Sequence, residues 1–341
     1  MKKRINFLLF FLVFFTVATL GATPLFREVC SEIVLNGGDS SVVKGVDGWL
    51  FLKDELAHIS SGKFWGEDAL RASRAKKRKI ADPLPEIIQY NKLLADKGIT
   101  LYLMPVPPKA LIYPDKVTQG VDAASAGEDQ GLYRQFFDVL NQNGVKTLDL
   151  LPTLLKNREK VNLYCKTDTH FSGQGLNYFA KAAAAQIQRE PWYKDVAKKE
   201  FTTTIQEVSI RGDLLQMSGE EGESEGLQLS VVSEKETGAQ VESEPKSSVI
   251  LLGDSHTLVF SAGGDLHAKG AGLFDHLSAE LGFAVDLLGV RGSGVTPARI
   301  KFYQRSKKDG DYLNGKKVLI WCFTAREFTG TGGWRAIPVA P

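Results

Sequence analysis

The 341 residues include only three cysteines, Cys30, Cys165 and Cys322, widely spaced and odd in number. No Cys-x-x-Cys spacing occurs, which excludes the common structural zinc sites, and a chain of this length does not depend on disulfides for a core. Cys30 follows Arg27-Glu28-Val29 rather than the small residues that precede a lipid-modified cysteine, while Cys165 and Cys322 lie in apolar, strand-like runs and read as core. Charge of one sign is equally scarce. Lys and Arg number 42 against 40 Asp and Glu, a net charge of +2, so composition gives no reason to expect a nucleic-acid partner. The one dense basic run, Arg71 to Lys79, reads first as a solvated helix face, with an anionic polymer or a membrane surface as the functional alternative. No internal repeat is visible.

What is present begins at the N-terminus. Met1-Lys2-Lys3-Arg4 precedes an apolar run from Ile5 to about Ala22. A basic start ahead of an apolar run close to the ~20 residues that span a bilayer predicts an export signal or a membrane anchor. Ala18, Gly21 and Ala22 form no clean Ala-x-Ala cleavage site, which favours an uncleaved anchor with its basic end left in the cytoplasm. The expected organisation is a signal or anchor over 1–24, a linker over 25–44, one domain over 45–330 and a tail over 331–341.

Within that domain, helical and strand periodicities alternate. Pro85 to Lys97 is amphipathic and stops at Gly98; Ile99 to Val106 is a continuous apolar strand ended by prolines. Tyr133 to Asn143 is a second helix, Val145 to Leu150 a second strand, and Gly173 to Gln188 an Ala-rich helix. Further strands are predicted at Ser248 to Leu252, Phe283 to Leu288 and Lys317 to Phe323. Uninterrupted apolar strands between helices argue an α/β fold with a mainly parallel sheet. Between Ser218 and Ser248 glutamate dominates, which reads as an acidic surface excursion joining two halves of the domain.

Two strings carry potential chemistry: Thr167-Asp168-Thr169-His170-Phe171-Ser172-Gly173, and Val249-Ile250-Leu251-Leu252-Gly253-Asp254-Ser255-His256. A serine at the carboxyl end of a parallel strand sits where α/β folds place ligands. Its hydroxyl needs a base, best a histidine, and that histidine needs a carboxylate on its other ring nitrogen. Asp168 and His170 can supply the pair from one short loop, because alternate residues of an extended segment share a side. Taken singly, each string also fits a bland reading, with Asp254 and Ser255 capping a helix and His170 a satisfied core residue.

The strings resemble the AlgJ/AlgX-type alginate O-acetyltransferase family, whose domain is SGNH-hydrolase-like. The likeness runs from about Gly45 to Phe328. It includes the Gly45-Val46-Asp47-Gly48-Trp49-Leu50-Phe51-Leu52 opening and the Pro105-Val106-Pro107-Pro108-Lys109 turn with Tyr113-Pro114. Asp168-Thr169-His170, Gly253-Asp254-Ser255 and Trp321-Cys322-Phe323-Thr324-Ala325-Arg326-Glu327 complete it. The resemblance implies a three-layer SGNH-like fold with Ser255 as nucleophile, His170 as general base and acid, and Asp168 as its orienter. It further implies an acetyl-serine intermediate, no cofactor or metal, a polysaccharide acceptor, and a membrane-bound O-acyltransferase that delivers acetyl groups to a periplasmic protein held at the inner membrane. Gly289 to Gly294 looks like the second SGNH block, with Gly292 the expected backbone oxyanion donor. Arg326 is expected either to line the cleft or to form a buried ion pair. His256 is expected to point away from Ser255, and His58, His267 and His276 carry no signal.

Three rivals remain open at this level. The same triad could release acetate to water as a polysaccharide acetylesterase. Asp168, His170, Asp254 and His256 form two Asp-x-His strings that suit a divalent metal, although no Asn-His or Gly-His-x-His set follows to complete its coordination. A non-catalytic scaffold of an exopolysaccharide complex is the third.

Overall fold

The computed structural model describes residues 24–341. Nine strands lie among them: β1 (Val42–Lys44), β2 (Leu50–Leu52), β3 (Thr100–Val106), β4 (Lys146–Thr147), β5 (Phe201–Ile210), β6 (Glu225–Glu234), β7 (Val249–Gly253), β8 (Asp286–Gly289) and β9 (Val318–Thr324). Five form the central sheet in the order β4-β3-β9-β7-β8, and every pairing in it is parallel. Every residue of β7 and of β9 is buried, so both faces of the sheet are covered. That burial is what their uninterrupted apolar sequences demand.

Local signals set the element ends. Asp82 accepts a hydrogen bond from the Leu84 N–H (3.0 Å) and Pro83 opens helix Pro83–Ala95. A cap of this kind contributes about 1 kcal/mol. Ser172 caps helix Gly173–Ile187 by accepting from the Gly175 N–H at 3.0 Å. The strand expected over 145–150 is cut to Lys146–Thr147, because Asp149 accepts from the Leu151 N–H (3.0 Å) and starts helix Leu151–Asn157.

Four expectations change. The stretch expected as a linker over 25–44 is instead part of the domain: Phe26–Asn36 is a helix whose Phe26 and Cys30 are fully buried, and β1 pairs with β2. The tail over 331–341 is packed too, with Trp334 and Val339 buried and the Trp334 N–H bound to the Ile80 carbonyl at 2.7 Å. Both segments carry apolar side chains that the core can cover, and burial of each stabilises by about 1.5–3 kcal/mol. The acidic excursion contributes β6, which pairs antiparallel with β5 along ten residues of each strand, a partner the sequence reading did not identify. The basic run is not a helix face. It leaves the four-residue helix Ala69–Ala72 and continues as a turn-rich segment to Ile80. The expected anchor over Ile5 to Ala22 lies outside the described residues; among the described residues no helix is long and apolar enough to cross a membrane.

Candidate active site

Strand β7 ends at Gly253, and the chain turns at Asp254 into a short 3-10 turn, Ser255–Thr257. Only glycine fits at 253, since a Cβ there would sit 1.8 Å from the Cys322 carbonyl oxygen of neighbouring β9. The Asp254 carboxylate fastens the turn from both sides: Oδ1 accepts from the His256 N–H (2.9 Å) and Oδ2 from the Thr324 N–H (2.7 Å) at the end of β9. Ser255 is thus presented at the carboxyl edge of the sheet, half-buried between fully buried neighbours.

The Asp168–His170 loop is built from distant pieces. An antiparallel bridge between Tyr164 and Phe171 closes it. The buried Lys109 ammonium donates to the carbonyls of Leu50 (2.7 Å), Lys166 (2.9 Å) and Asp168 (3.1 Å), tying the Trp-Leu-Phe-Leu opening, the Pro-Pro-Lys turn and this loop to one point. Burial pulls the Lys109 pKa down to about 8, against the opposing pull of Glu55. Glu225, from the acidic excursion, accepts from the N–H groups of Lys166 (2.9 Å) and Thr167 (3.0 Å). Asp213 accepts from the Thr169 N–H (2.7 Å) and hydroxyl (2.5 Å).

These braces bring the three expected residues together. His170 Nδ1 lies 2.6 Å from Asp168 Oδ1, and His170 Nε2 lies 2.7 Å from Ser255 Oγ. An ionised carboxylate only accepts, so Nδ1 carries the hydrogen and Nε2 presents its lone pair to the serine hydroxyl. Burial works against the charged form of His170, but Asp168, Asp213 and Asp254 outweigh it and raise the pKa above the ordinary imidazole value. Burial likewise works against ionised Asp168, yet the charge of His170 and hydrogen bonds from His170, His267 and the Asp213 N–H hold it well below the usual carboxylate range. The arrangement can take a proton from Ser255 and stabilise the imidazolium that results.

The remaining expected residues fall as follows. Gly292 is exposed, with φ of 88° and open space where a Cβ would lie; Gly294 is the glycine pressed on the serine turn, its Cβ position 2.8 Å from the Asp254 nitrogen. Arg326 is half-buried and donates to the Thr324 hydroxyl (2.8 Å). The alternative of a buried ion pair is not observed, as no carboxylate among the described residues lies within 4.0 Å of it. His256 Nδ1 bonds its own Asp254 at 3.0 Å. For a metal, the set whose donor atoms approach one another is Asp168, His170 and Asp213, not the two Asp-x-His strings together. Both Asp168 oxygens and the His170 nitrogens are already engaged in the bonds above. Two participants were not found from sequence. His267 Nε2 sits 2.9 Å from Asp168 Oδ2, and the Asp213 N–H donates to the same oxygen at 2.8 Å. Neither carries a motif; the Gly212-Asp213 turn is the nearest thing to a signal.

Neither of two concavities of the surface is lined by Ser255 or His170. One of about 670 Å³ is bounded by Trp49, Thr167 and Glu225. The other, about 590 Å³, is lined by Arg74, Lys76, Lys77, Lys79, Ile80, Gly332 and Arg335.

The family model of the SGNH hydrolase-like domain of the acetyltransferase AlgX matches residues 42–325, which takes in the whole of this centre. The chain belongs to the AlgX family. A relative described as probable alginate O-acetylase AlgJ, from Pseudomonas aeruginosa, is 31% identical over 179 residues, 52% of this chain and 41% of that protein. Its counterpart from Pseudomonas syringae pv. tomato is 25% identical over 181 residues, 53% of this chain and 42% of that one. The match therefore spans about two fifths of the length of these curated relatives. Among solved structures, the O-acetyltransferase domain of Pseudomonas putida AlgJ superposes with a TM-score of 0.59 at 20% identity, covering 85% of this chain and 92% of that domain. Pseudomonas aeruginosa AlgX gives 0.63 at 19% identity, covering 88% and 66%. At such identities the likeness is one of fold.

Proposed function

We propose that this protein is an O-acetyltransferase that moves acetyl groups onto hydroxyls of an exopolysaccharide through an acetyl-serine intermediate. The observation that carries the reading is the relay in which His170 bridges Asp168 at 2.6 Å and Ser255 at 2.7 Å. Membership of the AlgX family and the names of the AlgJ relatives support acetyl transfer as the reaction. In the first half, His170 Nε2 takes the Ser255 proton as Oγ attacks the acetyl carbonyl; the imidazolium then returns that proton to the departing group of the donor. The proposed oxyanion donors are the backbone N–H groups of Ser255 and Gly292, which bind no other protein group among the described residues. In the second half, His170 Nε2 takes the proton of an acceptor hydroxyl as its oxygen attacks the acetyl carbonyl; the bond to Ser255 Oγ breaks and the imidazolium returns that proton to Oγ.

The acceptor proposed is an acidic polysaccharide. The cleft lined by Arg74, Lys76, Lys77, Lys79 and Arg335 holds five cations, of which only Arg74 pairs a carboxylate among the described residues, at 2.7 Å from Asp54. It lies one short helix from the serine: the Arg74 N–H binds the Thr329 carbonyl (2.8 Å), and Thr329 belongs to helix Glu327–Gly330, which follows Arg326 and the β9 end that holds Asp254. Arg326 is the proposed contact nearest the reacting centre. A concave surface of one charge sign attracts a polyanion and loses affinity as salt rises. Export by the N-terminal segment, tethering to the inner membrane, and supply of acetyl groups by a membrane-bound O-acyltransferase complete the proposal.

The test uses an aryl acetate as donor and an acidic polysaccharide as acceptor. Mass spectrometry should find acetyl on the peptide that contains Ser255, and acetyl ester should accumulate on the polymer. Acetate release alone, with polymer present, supports the esterase reading instead. Replacing Lys76, Lys77 and Lys79 together by Ala should raise KM for the acidic polymer about tenfold, a few tenths of a kcal/mol per exposed charge, and leave aryl acetate cleavage unchanged. Equal KM with a neutral glucan and an acidic one would remove the charge argument.

A further inference from the structure

We infer that His267 is a positioning residue of the active centre, a second imidazole that clamps the outer oxygen of Asp168; this rests on the triad reading above. The Asp168 carboxylate accepts four hydrogen bonds. Oδ1 takes the His170 N–H (2.9 Å) and His170 Nδ1 (2.6 Å); Oδ2 takes the Asp213 N–H (2.8 Å) and His267 Nε2 (2.9 Å). As the carboxylate can only accept, His267 carries its hydrogen on Nε2. Of the four donors, three are contributed by the backbone or by the His170 loop itself. His267 is the only side chain from another segment that grips this carboxylate among the described residues.

The origin of that segment gives the clamp its meaning. Ser255 and His267 stand at the two ends of one stretch of chain, so the Asp168–His170 loop is tethered to it twice, at Ser255 through His170 and at His267 through Asp168. Two tethers between the same two segments set their separation and their angle, whereas one alone leaves a pivot. The stretch is also held in an uncommon shape. His267 has φ of 74° and Phe260 φ of 61°, both left-handed and neither a glycine. Such conformations cost of order 1 kcal/mol or more each and persist where surrounding contacts over-determine them. Here the Phe260 N–H binds the Leu266 carbonyl (2.9 Å), the Ala271 N–H binds the Phe260 carbonyl (2.9 Å), and Arg291 pairs with Asp265 at 2.6 Å. At His267 the chain makes a tight turn closed by the Ala268 N–H on the Leu266 carbonyl (3.0 Å), and its ring reaches Asp168, where the side chain is nine-tenths buried. Arg291 comes from the Gly289–Gly294 turn, so that turn, the Ser255–His267 stretch and the Asp168–His170 loop are joined in this arrangement.

Asp168 can serve His170 only while Oδ1 stays in line with Nδ1. With one donor on Oδ2 removed, the carboxylate gains freedom to rotate about Cβ–Cγ and the His170 ring loses its fixed orientation. The deficit belongs to turnover, not to substrate binding.

The experiment compares His267→Phe, which keeps an aromatic ring without a donor, with His267→Gln, whose amide N–H reaches a similar position. With an aryl acetate, His267→Phe should lower kcat about 10- to 100-fold, the range typical of partners one step removed from a reacting group, with KM little changed. His267→Gln should recover most of that loss. The low-field proton resonance of His170 Nδ1–H should move in His267→Phe and hold in His267→Gln. If His267→Phe does not fold, His267→Ala with added imidazole replaces it: recovery of kcat supports the clamp and none overturns it. Wild-type kcat in a folded His267→Phe, or equal loss in the Gln and Phe variants, overturns the inference. Ser255→Ala, assayed in parallel, separates the two claims. An inactive Ser255→Ala beside an unimpaired His267→Phe sinks the clamp alone, and an active Ser255→Ala sinks the triad on which it rests.

Discussion

The chain holds two Asp-x-His pairs that look alike in sequence, Asp168-Thr169-His170 and Asp254-Ser255-His256, and the structure treats them oppositely. In both, the carboxylate Oδ1 meets Nδ1 of its own histidine, at 2.6 Å and 3.0 Å respectively, and accepts that histidine's N–H at 2.9 Å. Beyond this shared geometry the surroundings diverge. His170 faces Asp213 and Asp254 as well as Asp168, and they raise its pKa in spite of burial. His256 has Asp254 alone; burial dominates, the charges of His170 and Arg326 add to it, and its pKa falls. Asp254 spends its second oxygen on the Thr324 N–H, with its own pKa lowered to about 2, and so builds the serine turn. Asp168 spends its second oxygen on the Asp213 N–H and His267 and so is held in line with the His170 ring that meets Ser255. A motif supplies the pair; the charges and donors around it decide whether the pair does chemistry or architecture.

The largest expected effect separates the pairs directly. Ser255→Ala, His170→Ala and Asp168→Ala should each lower kcat for aryl acetate by about 10³- to 10⁶-fold, with double variants falling little further. His256→Ala should lose less than about tenfold in kcat, although removing the hydrogen bond of a buried ring to the charged Asp254 costs about 1–3 kcal/mol of stability. Loss confined to His256→Ala would reverse the two roles.

A smaller effect tests the brace that only the first pair possesses. Lys109→Met takes the shared ammonium from the carbonyls of Leu50, Lys166 and the buried Asp168, of which that of Lys166 keeps the Leu50 N–H at 2.9 Å. Stability should fall by about 2 kcal/mol or more, at 1–3 kcal/mol for each of the two groups left unpaired, read by chemical denaturation. In the folded fraction kcat should also drop, while the Ser255 turn, held by Asp254, keeps its shape. A variant that melts early but turns over at the wild-type rate would show that Lys109 serves the core alone.

The smallest effect is a shift in pH dependence. His170 acts as a base only when neutral, so a raised pKa places the acid limb of kcat/KM above the ordinary imidazole range. The charge of Asp213 favours the imidazolium. Asp213→Asn should therefore lower the His170 pKa and move that limb to lower pH, whereas His256→Gln should leave it in place. An unmoved limb in Asp213→Asn would mean that the Asp213 carboxylate serves only as the hydrogen-bond acceptor of Thr169.

Much of the architecture was legible because continuous apolar strands leave little choice. Val249–Gly253 and Val318–Thr324 were anticipated within one residue at each end, and their complete burial is what such runs require. Strand β5 was missed for the complementary reason: Phe201–Ile210 is exposed along most of its length and carries neither a buried run nor a clean alternation. Phe26–Asn36 and Trp334 were assigned to a linker and a tail because a few apolar residues at a chain end do not announce that the core has room for them.

The sequence by itself determined the α/β alternation, a serine at the end of a strand and two Asp-x-His pairs, since these depend on local period and on spacing of two. Only the tertiary structure decided which Asp-x-His pair faces the serine, and that Lys109, Asp213, Glu225 and His267 hold it there. Those four residues come from segments 44 to 99 positions away along the chain from the residues they brace, as the Asp213 bond to the Thr169 N–H (44) and the His267 bond to Asp168 (99) illustrate. Hydrogen bonds and charges act over a few ångströms in space without regard to separation in sequence, so no local pattern records them.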